Sequence, residues 1–450
     1  MAIVQAFRGW LYDLSRVGKL ADVTAPPYDI IDPQRQIELY SRHPANVVRL
    51  ILNQWQDGDE PEDRYRRAAE FWRGWKRNGT VAADKSSAFY VYHQVFAHQG
   101  TVLTRRGFIC RLQIEPFGSG HVYPHEATHA GPKQDRLLLM RACRANFSPI
   151  FGLMPDADNE VQSVLERSLE DTTPLQVTDE NGVVHRLWSV TDIAAISQVI
   201  SLMGPKPIFI ADGHHRYETA WNYRQELASQ GVLTAEHPAN FVMTACFSMN
   251  DPGLVVLPTH RLLRQAPNLD RHQFVEQLQG CFDCEPVAKG PQAAPDVWEL
   301  IEMEDQQTTM GFYTARDQCW TLARLTETGR RRMEEISEAS SSWNGLGVSI
   351  LHKLAIEHLL GLKDMPTPLY VRGENEVARF LVEGDVTGRD LTGQQASGEM
   401  FNLAAMVMPA RVQDVADISM LGERMPAKST YFFPKLLTGL VFHSLAEDDG

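Results

Sequence analysis

Apolar and polar positions along the chain sort into short stretches of strand-like or helical period, separated by turn residues. Ala88 to Phe96 and Thr104 to Ile114 are rich in aromatic and β-branched residues around His98-Gln99-Gly100, the pattern of a hairpin. Phe241 to Ser248 and Leu254 to Leu257 read as strands about an Asp251-Pro252-Gly253 turn, and Gly311 to Thr314 and Cys319 to Arg324 as two more. Val47 to Leu52 is strand-like as well. Helical spacing marks Pro33 to Arg42, capped by Asp32, and Pro61 to Arg77, with Tyr65, Ala68, Ala69 and Trp72 on one side. It also marks Leu137 to Ala145, Arg271 to Gln279 and Ser349 to Leu360, while Ser163 to Ser201 reads as helix, hairpin around Glu180-Asn181-Gly182, and helix. Together these predict an α+β fold of mixed sheets with flanking helices. The chain is expected to divide into an N-terminal α/β region (1–85), a central α+β core (86–294) and a C-terminal α/β region (295–450).

One junction in this pattern carries more chemistry than the rest. Ile208 to Ala211 is a short apolar run that predicts a buried strand, and helix formers run from Tyr217 to Leu227. Between them stands Asp212-Gly213-His214-His215-Arg216, with Asp212 placed as the helix N-cap. Gly213 lets backbone approach a ligand, the helix start offers unpaired N–H groups, and His214, His215 and Arg216 add donors. This is the layout of an anion site, most economically a phosphate site. A second His-Arg pair, His260-Arg261, and Lys428-Ser429 within Met425 to Lys435 are candidates for the same pocket.

His125-Glu126-Ala127-Thr128-His129 spells the zinc-protease pattern, which needs both histidines one turn apart on a helix several turns long. Pro124 precedes it and Gly131-Pro132 follows at once, so at most a single turn fits. The stretch is better read as a loop leaving a strand, with Glu126 as a general base or magnesium ligand. The helix start that follows carries Lys133, Asp135 and Arg136, whose cations suit phosphate oxygens. No phosphate-binding P-loop, dinucleotide fingerprint or nucleophile elbow occurs in the expected context.

The formal net charge of -14 argues against broad nucleic-acid binding, yet leaves room for a local basic pocket that takes a small anion. With 43% hydrophobic and 22% charged residues, no membrane-length apolar run and no signal-peptide layout at Met1 to Trp10, the chain is expected to be cytoplasmic. Six cysteines are too few for a disulfide scaffold, and Cys281 and Cys284 read as two ordinary thiols.

Several matched stretches make a resemblance specific: P-H-E-x-T with G-P-K-x-D-R, A-N-x-S-P-I-F, I-A-D-G-H-H-R-Y-E-T-A, L-P-T-H-R and M-P-x-K-S-T-Y-F-x-P-K. From Ala25-Pro26-Pro27-Tyr28-Asp29 to Pro434-Lys435 the chain resembles a bacterial family known as domain of unknown function 1015. More distantly, Pro124-His125-Glu126 and Asp212 to Arg216 are similar to the signature stretches of free serine kinases in the ParB/sulfiredoxin-like superfamily. That resemblance implies a nucleotide-binding core, with Glu126 matching the catalytic carboxylate and Asp212, His214, His215 and Arg216 matching the phosphate and magnesium turn. The gap of about 85 residues between the motifs is longer here than in the compact kinases.

The expected function is therefore a magnesium-dependent phosphotransferase that uses ATP or another NTP and acts on a small hydroxyl metabolite such as serine. The catalytic set is Glu126, His125, Asp212 and His215, with Asp212 also holding magnesium. The phosphate or nucleotide set is Lys133, Asp135, Arg136, Gly213, His214 and Arg216, joined by His260, Arg261, Lys428 and Ser429. The partner is a small molecule rather than nucleic acid or membrane. Two alternatives stand beside it: a nucleotide-sensing binding protein or slow NTP hydrolase without an acceptor, and a zinc hydrolase built on His125, Glu126 and His129.

Overall fold

In the computed structural model, which describes residues 2–447 apart from Ser119, His129, Asp171, 364–365 and 386–399, the chain folds into two compact units. The first comprises Met1–Val255 and Phe432–Gly450, the second Val256–Tyr431. Both are α+β, with mixed or antiparallel sheets and flanking helices.

The first unit is built on a nine-stranded sheet of β1 (Val4–Gln5), β2 (Phe89–His98), β3 (Thr101–Gln113), β4 (Val122–Pro124), β5 (Ile150–Met154), β6 (Leu175–Thr178), β7 (Val184–Val190), β8 (Ile208–Asp212) and β9 (Phe241–Ser248). Their order is β4-β8-β5-β9-β3-β2-β7-β6, with β1 paired to β3. The hairpin β2–β3 forms as its alternation predicts. Gln99 and Gly100 turn the chain with φ of 46° and 75°, the positive values that fit a tight turn to the strand twist. Its inward side chains Phe89, Val91, Phe108 and Cys110 join Ile150, Ile208 and Ile210 in one apolar core.

Six helices matter to the first unit: α1 (Pro33–Arg42), α2 (Asp63–Arg77), α3 (Ala130–Cys143), α4 (Glu160–Arg167), α5 (Ile193–Met203) and α6 (His214–Ser229). Asp32 caps α1 as expected, its carboxylate accepting from the Arg35 amide at 2.7 Å. Val47 to Leu52 is not a strand. Val48–Ile51 forms a helical turn with Val48, Leu50 and Ile51 buried, because the Asn46 side chain accepts the Val48 amide and starts a helix there. A short apolar run carries no period that separates the two states.

The second unit holds a six-stranded sheet of β10 (His260–Leu263), β11 (Phe282–Lys289), β12 (Thr309–Thr314), β13 (Cys319–Leu325), β14 (Leu369–Val371) and β15 (Leu403–Val407), ordered β11-β13-β12-β15-β10-β14. Its neighbours in the sheet all run antiparallel. Leu262, Val297, Trp298, Ile301, Trp320 and Met406 centre its core. The stretch expected as an α-helix from Ser349 to Leu360 winds as a π-helix over Ile350–Leu359.

These units do not follow the three expected regions. Segment 1–85 is joined to the main sheet, since β1 hydrogen-bonds to β3 and Phe7 to Ala88. The expected boundary at 294/295 falls just inside the helix Ala294–Glu304, within the second unit. The last stretch from Phe432 returns to the first unit, where Thr438 pairs with Ala25 and Phe442 with Trp10. Among the described residues, no helix is long and apolar enough to cross a membrane.

Candidate anion site at a sheet edge

Strands β4 and β8 run parallel, with Ile208 opposite Val122 and Ile210 opposite Pro124. Parallel pairing delivers both C-terminal ends to the same edge of the sheet, so the loop of His125 and Glu126 emerges beside the turn of Asp212 and Gly213. Residues 125–128 are not helical and α3 begins only at Ala130, so the one-turn spacing of a zinc-protease pair is not built. His129, the second histidine of that pattern, lies outside the described residues.

The turn itself differs from its expected form by one position. Asp212 is the last residue of β8 rather than the N-cap, and Gly213 caps α6 with φ 95° and no side-chain hydrogen bond. A Cβ on Gly213 would stand 3.0 Å from the Arg216 guanidinium, so both conformation and space call for glycine. Asp212 faces inward, where Lys435 Nζ donates to Oδ2 and Arg216 Nη2 donates to Oδ1 at 3.4 Å. Burial favours the neutral acid, but the fields of Lys435 and Arg216 outweigh it and hold the Asp212 carboxyl well below the usual carboxylate range. Both oxygens of Asp212 are thus engaged by cations, and the residues present do not fit a magnesium ion bound directly to this carboxylate. Among the described residues, no group of three or more His, Cys, Asp or Glu is placed to hold a metal.

His214 fastens the two motifs together. Its Nε2 accepts the backbone amides of His125 at 3.2 Å and Glu126 at 3.4 Å, and the rings of His125 and His214 meet edge to face at 4.7 Å. His125 in turn donates from Nδ1 to the Ile210 carbonyl at 2.8 Å. Both rings are buried. They position the Glu126 loop, whereas Glu126 and His215 are partly accessible at the edge itself. Lys133 in the first turn of α3 reaches α6 and pairs with Glu218 at 2.8 Å, and Thr128 donates to the other oxygen of Glu218. Burial would raise the Glu218 carboxyl, yet the hydrogen bonds from Lys133 and Thr128 leave it lowered.

Asp135 and Arg136 face elsewhere. Asp135 receives Arg64, Arg136 and, at 2.7 Å, the Tyr65 hydroxyl, which ties α3 to α2. Arg136 donates to the Ile51 carbonyl at 2.7 Å and stacks over Tyr28 at 4.0 Å. His260, Arg261, Lys428 and Ser429 belong to the second unit, where they form their own cluster. Arg261 donates to the Lys428 carbonyl at 3.0 Å and to His352 Nε2 at 3.2 Å, and Ser429 donates to the Pro426 carbonyl at 2.5 Å. Burial, followed by the charge of Arg261, pushes His260 down to about 3, so its ring is neutral. Cys284 is pushed up to about 11 by burial, the behaviour of an ordinary thiol.

Two residues of the site were not expected, Glu218 and Lys435. Glu218 stands in the quoted I-A-D-G-H-H-R-Y-E run, one turn beyond His214. Lys435 closes the last motif but comes from 223 positions beyond Asp212. A third, Arg105, is fully buried and donates to Gln94 and to the carbonyls of Phe433 and Pro434, and so holds the segment that carries Lys435. The rings of Phe151 and Phe247 lie 4.7 and 5.0 Å from its guanidinium.

The chain belongs to the family described as Protein of unknown function (DUF1015), which matches it over residues 4–349. No curated protein matches the sequence. Among solved structures, a free serine kinase mutant in complex with ADP is 11% identical at a TM-score of 0.32, covering 69% of this chain and 84% of its own. SbnI with a C-terminal truncation, from Staphylococcus aureus, is 10% identical at 0.32, over 76% and 90%. A conserved hypothetical protein from Pyrococcus furiosus is 11% identical at 0.31, over 70% and 89%. At these values the site is read from its own geometry.

Proposed function

We propose that the Gly213 turn binds the phosphates of a nucleotide and that the protein is a cytoplasmic, ATP- or NTP-dependent phosphotransferase acting on a small hydroxyl metabolite such as serine. The observation that carries this reading is the convergence, on one sheet edge, of a loop carboxylate at Glu126 with a glycine-capped helix start flanked by His215, Lys133 and the Lys435–Asp212–Arg216 triad. Phosphoryl transfer needs alignment and charge neutralisation more than covalent help from the protein. In this reading the α6 N–H groups and His215 hold phosphate oxygens, and Glu126 takes the proton of the acceptor hydroxyl. The acceptor oxygen then bonds to the terminal phosphorus, the bond to the nucleoside diphosphate breaks, and the products are a phosphorylated metabolite and the diphosphate. The divalent ion that accompanies such a nucleotide is assigned no protein ligand.

A second reading, a nucleotide-sensing binding protein without turnover, is favoured by one observation: Lys133 and Arg216 already pair with Glu218 and Asp212, so a ligand must compete for them. The two separate in one assay. With ATP, magnesium and hydroxyl amino acids, Glu126→Gln should abolish phosphorylated product while keeping nucleotide affinity, and His215→Ala should weaken affinity. Unchanged turnover in both variants overturns the transferase reading, and saturable binding with no product from the wild type selects the sensor.

A further inference from the structure

Beside the Gly213 turn, on the flank of α6, the first unit holds a partly open cavity of about 50 Å³. Its polar wall is made by Tyr28, Arg136, Asn146, Ser148, Arg216 and Thr219, and the remainder is apolar. The hydrogen bonds of this wall do not close. Thr219 is fully buried and its hydroxyl has no partner among the described residues. Buried polar groups are almost always satisfied, so an orphan that faces a cavity asks what fills it. The Tyr28 hydroxyl takes no hydrogen bond among the described residues either, although its ring lies under Arg136.

The charges of the wall point the same way. Asp135 is shared between Arg136 and Arg64, and Asp212 between Arg216 and Lys435, so neither arginine has a carboxylate to itself. Each guanidinium carries five N–H donors. Arg136 spends three on Asp135 and the Ile51 carbonyl, and Arg216 spends two, on the Pro149 carbonyl and Asp212, which leaves donors over in both. Two planar cations and two hydroxyl donors around a small, mostly apolar space suit a ligand that only accepts hydrogen bonds and bears negative charge. Low local polarity strengthens that attraction.

We propose that this cavity binds a compact oxyanion, a carboxylate or phosphate group, held between Arg136 and Arg216 and hydrogen-bonded by Thr219 and Tyr28. The site shares Arg216 with the nucleotide reading, but Tyr28, Arg136 and Thr219 take no part in the edge built by Glu126 and the Gly213 turn, so variants at Tyr28 and Thr219 separate the two. Water is the competing occupant, since a polar cavity of this size holds water readily.

The test titrates the full chain with inorganic phosphate and with acetate, each against sodium chloride at matched ionic strength, and reads the shift in unfolding temperature. A ligand that binds only the folded state raises it saturably. Saturation by phosphate alone assigns a phosphate group, by acetate alone a carboxylate, and by both a site open to either. Tyr28→Phe and Thr219→Val should each weaken the fitted affinity by about tenfold or more, the loss of a hydrogen bond to a charged group. Thr219→Val without anion should unfold no lower than wild type, because it removes an orphan hydroxyl at nearly constant shape. No saturable shift beyond chloride, or a shift that survives unchanged in both variants, overturns the proposal. A parallel ATP titration that fails while the anion arms succeed counts against the nucleotide reading alone.

Discussion

Replacing Asp212 by asparagine keeps the shape of the side chain and removes its charge from between Lys435 and Arg216. At the 3.4 Å separation from Arg216, and with an effective dielectric near 20, the direct attraction lost is about 5 kcal/mol for that pair alone. Desolvation of the ions already offsets much of that in the wild type, so the relevant quantity is the cost of stranding two cations. Breaking a buried ion pair by removing one partner costs about 3–5 kcal/mol, and the 18% exposure of the Asp212 side chain argues for the lower end. Urea unfolding should therefore show Asp212→Asn destabilised by about 3 kcal/mol at neutral pH, with Lys435→Met in the same chain recovering part of the loss. The pH dependence follows from the depressed carboxyl. Its contribution is complete above the unfolded value of about 3.9 and is lost as pH falls toward the lower folded value, so the gap between wild type and variant should narrow below about pH 4. An Asp212→Asn protein with the wild-type urea midpoint at neutral pH, or a gap constant down to pH 2.5, refutes the account of this triad.

Gly213→Ala should destabilise the first unit by about 1–2 kcal/mol, the cost of a left-handed backbone for a residue with a Cβ, and displace Arg216 as well. Gly213→Asn should lose less, and equal urea midpoints for wild type and alanine variant would show that the turn is unstrained. Arg105→Met should leave the carbonyls of Phe433 and Pro434 short of a donor and lower amide-exchange protection across 432–438, at a cost of about 1.5–3 kcal/mol. Arg105→Lys should not restore it, because an ammonium cannot serve three acceptors in one plane; wild-type protection in either variant excludes this anchoring role.

The parts of the fold visible in the sequence are those held by local pattern. The hairpin of Phe89–His98 and Thr101–Gln113 announces itself by alternation and by Gln99-Gly100, and the strand–turn–helix at Ile208 to Ser229 by its change of period. The N-cap differs from the expectation because aspartate before a helix is an ordinary cap, and nothing near Asp212 reveals that its carboxylate is used by a lysine 223 positions away. Of the two lysines in the last motif, Lys428 is singled out by the hydroxyl beside it, whereas nothing near Lys435 marks it as the partner of Asp212; the Ser429 hydroxyl closes on the Pro426 carbonyl. Gly131-Pro132 did give a local reason to discount zinc chemistry at His125 and Glu126. The proximity of that loop to the turn needed the parallel pairing of Val122–Pro124 with Ile208–Asp212, a long-range choice that periodicity does not encode.

The return of the chain at Phe432 to complete the first unit has a consequence for how the protein is made. The second unit is continuous from Val256 to Tyr431, whereas the first must wait for its final strip. At synthesis rates of about 5–20 residues per second, emergence of the second unit separates Val255 from Phe432 by on the order of 10–35 s. Throughout that interval the stretches around Glu126 and Gly213 have been translated but Lys435 has not, so Asp212 has Arg216 as its one counter-charge of the two. The Gly213 turn thus gains the second of its two cations only after a segment 223 positions downstream of Asp212 has been made.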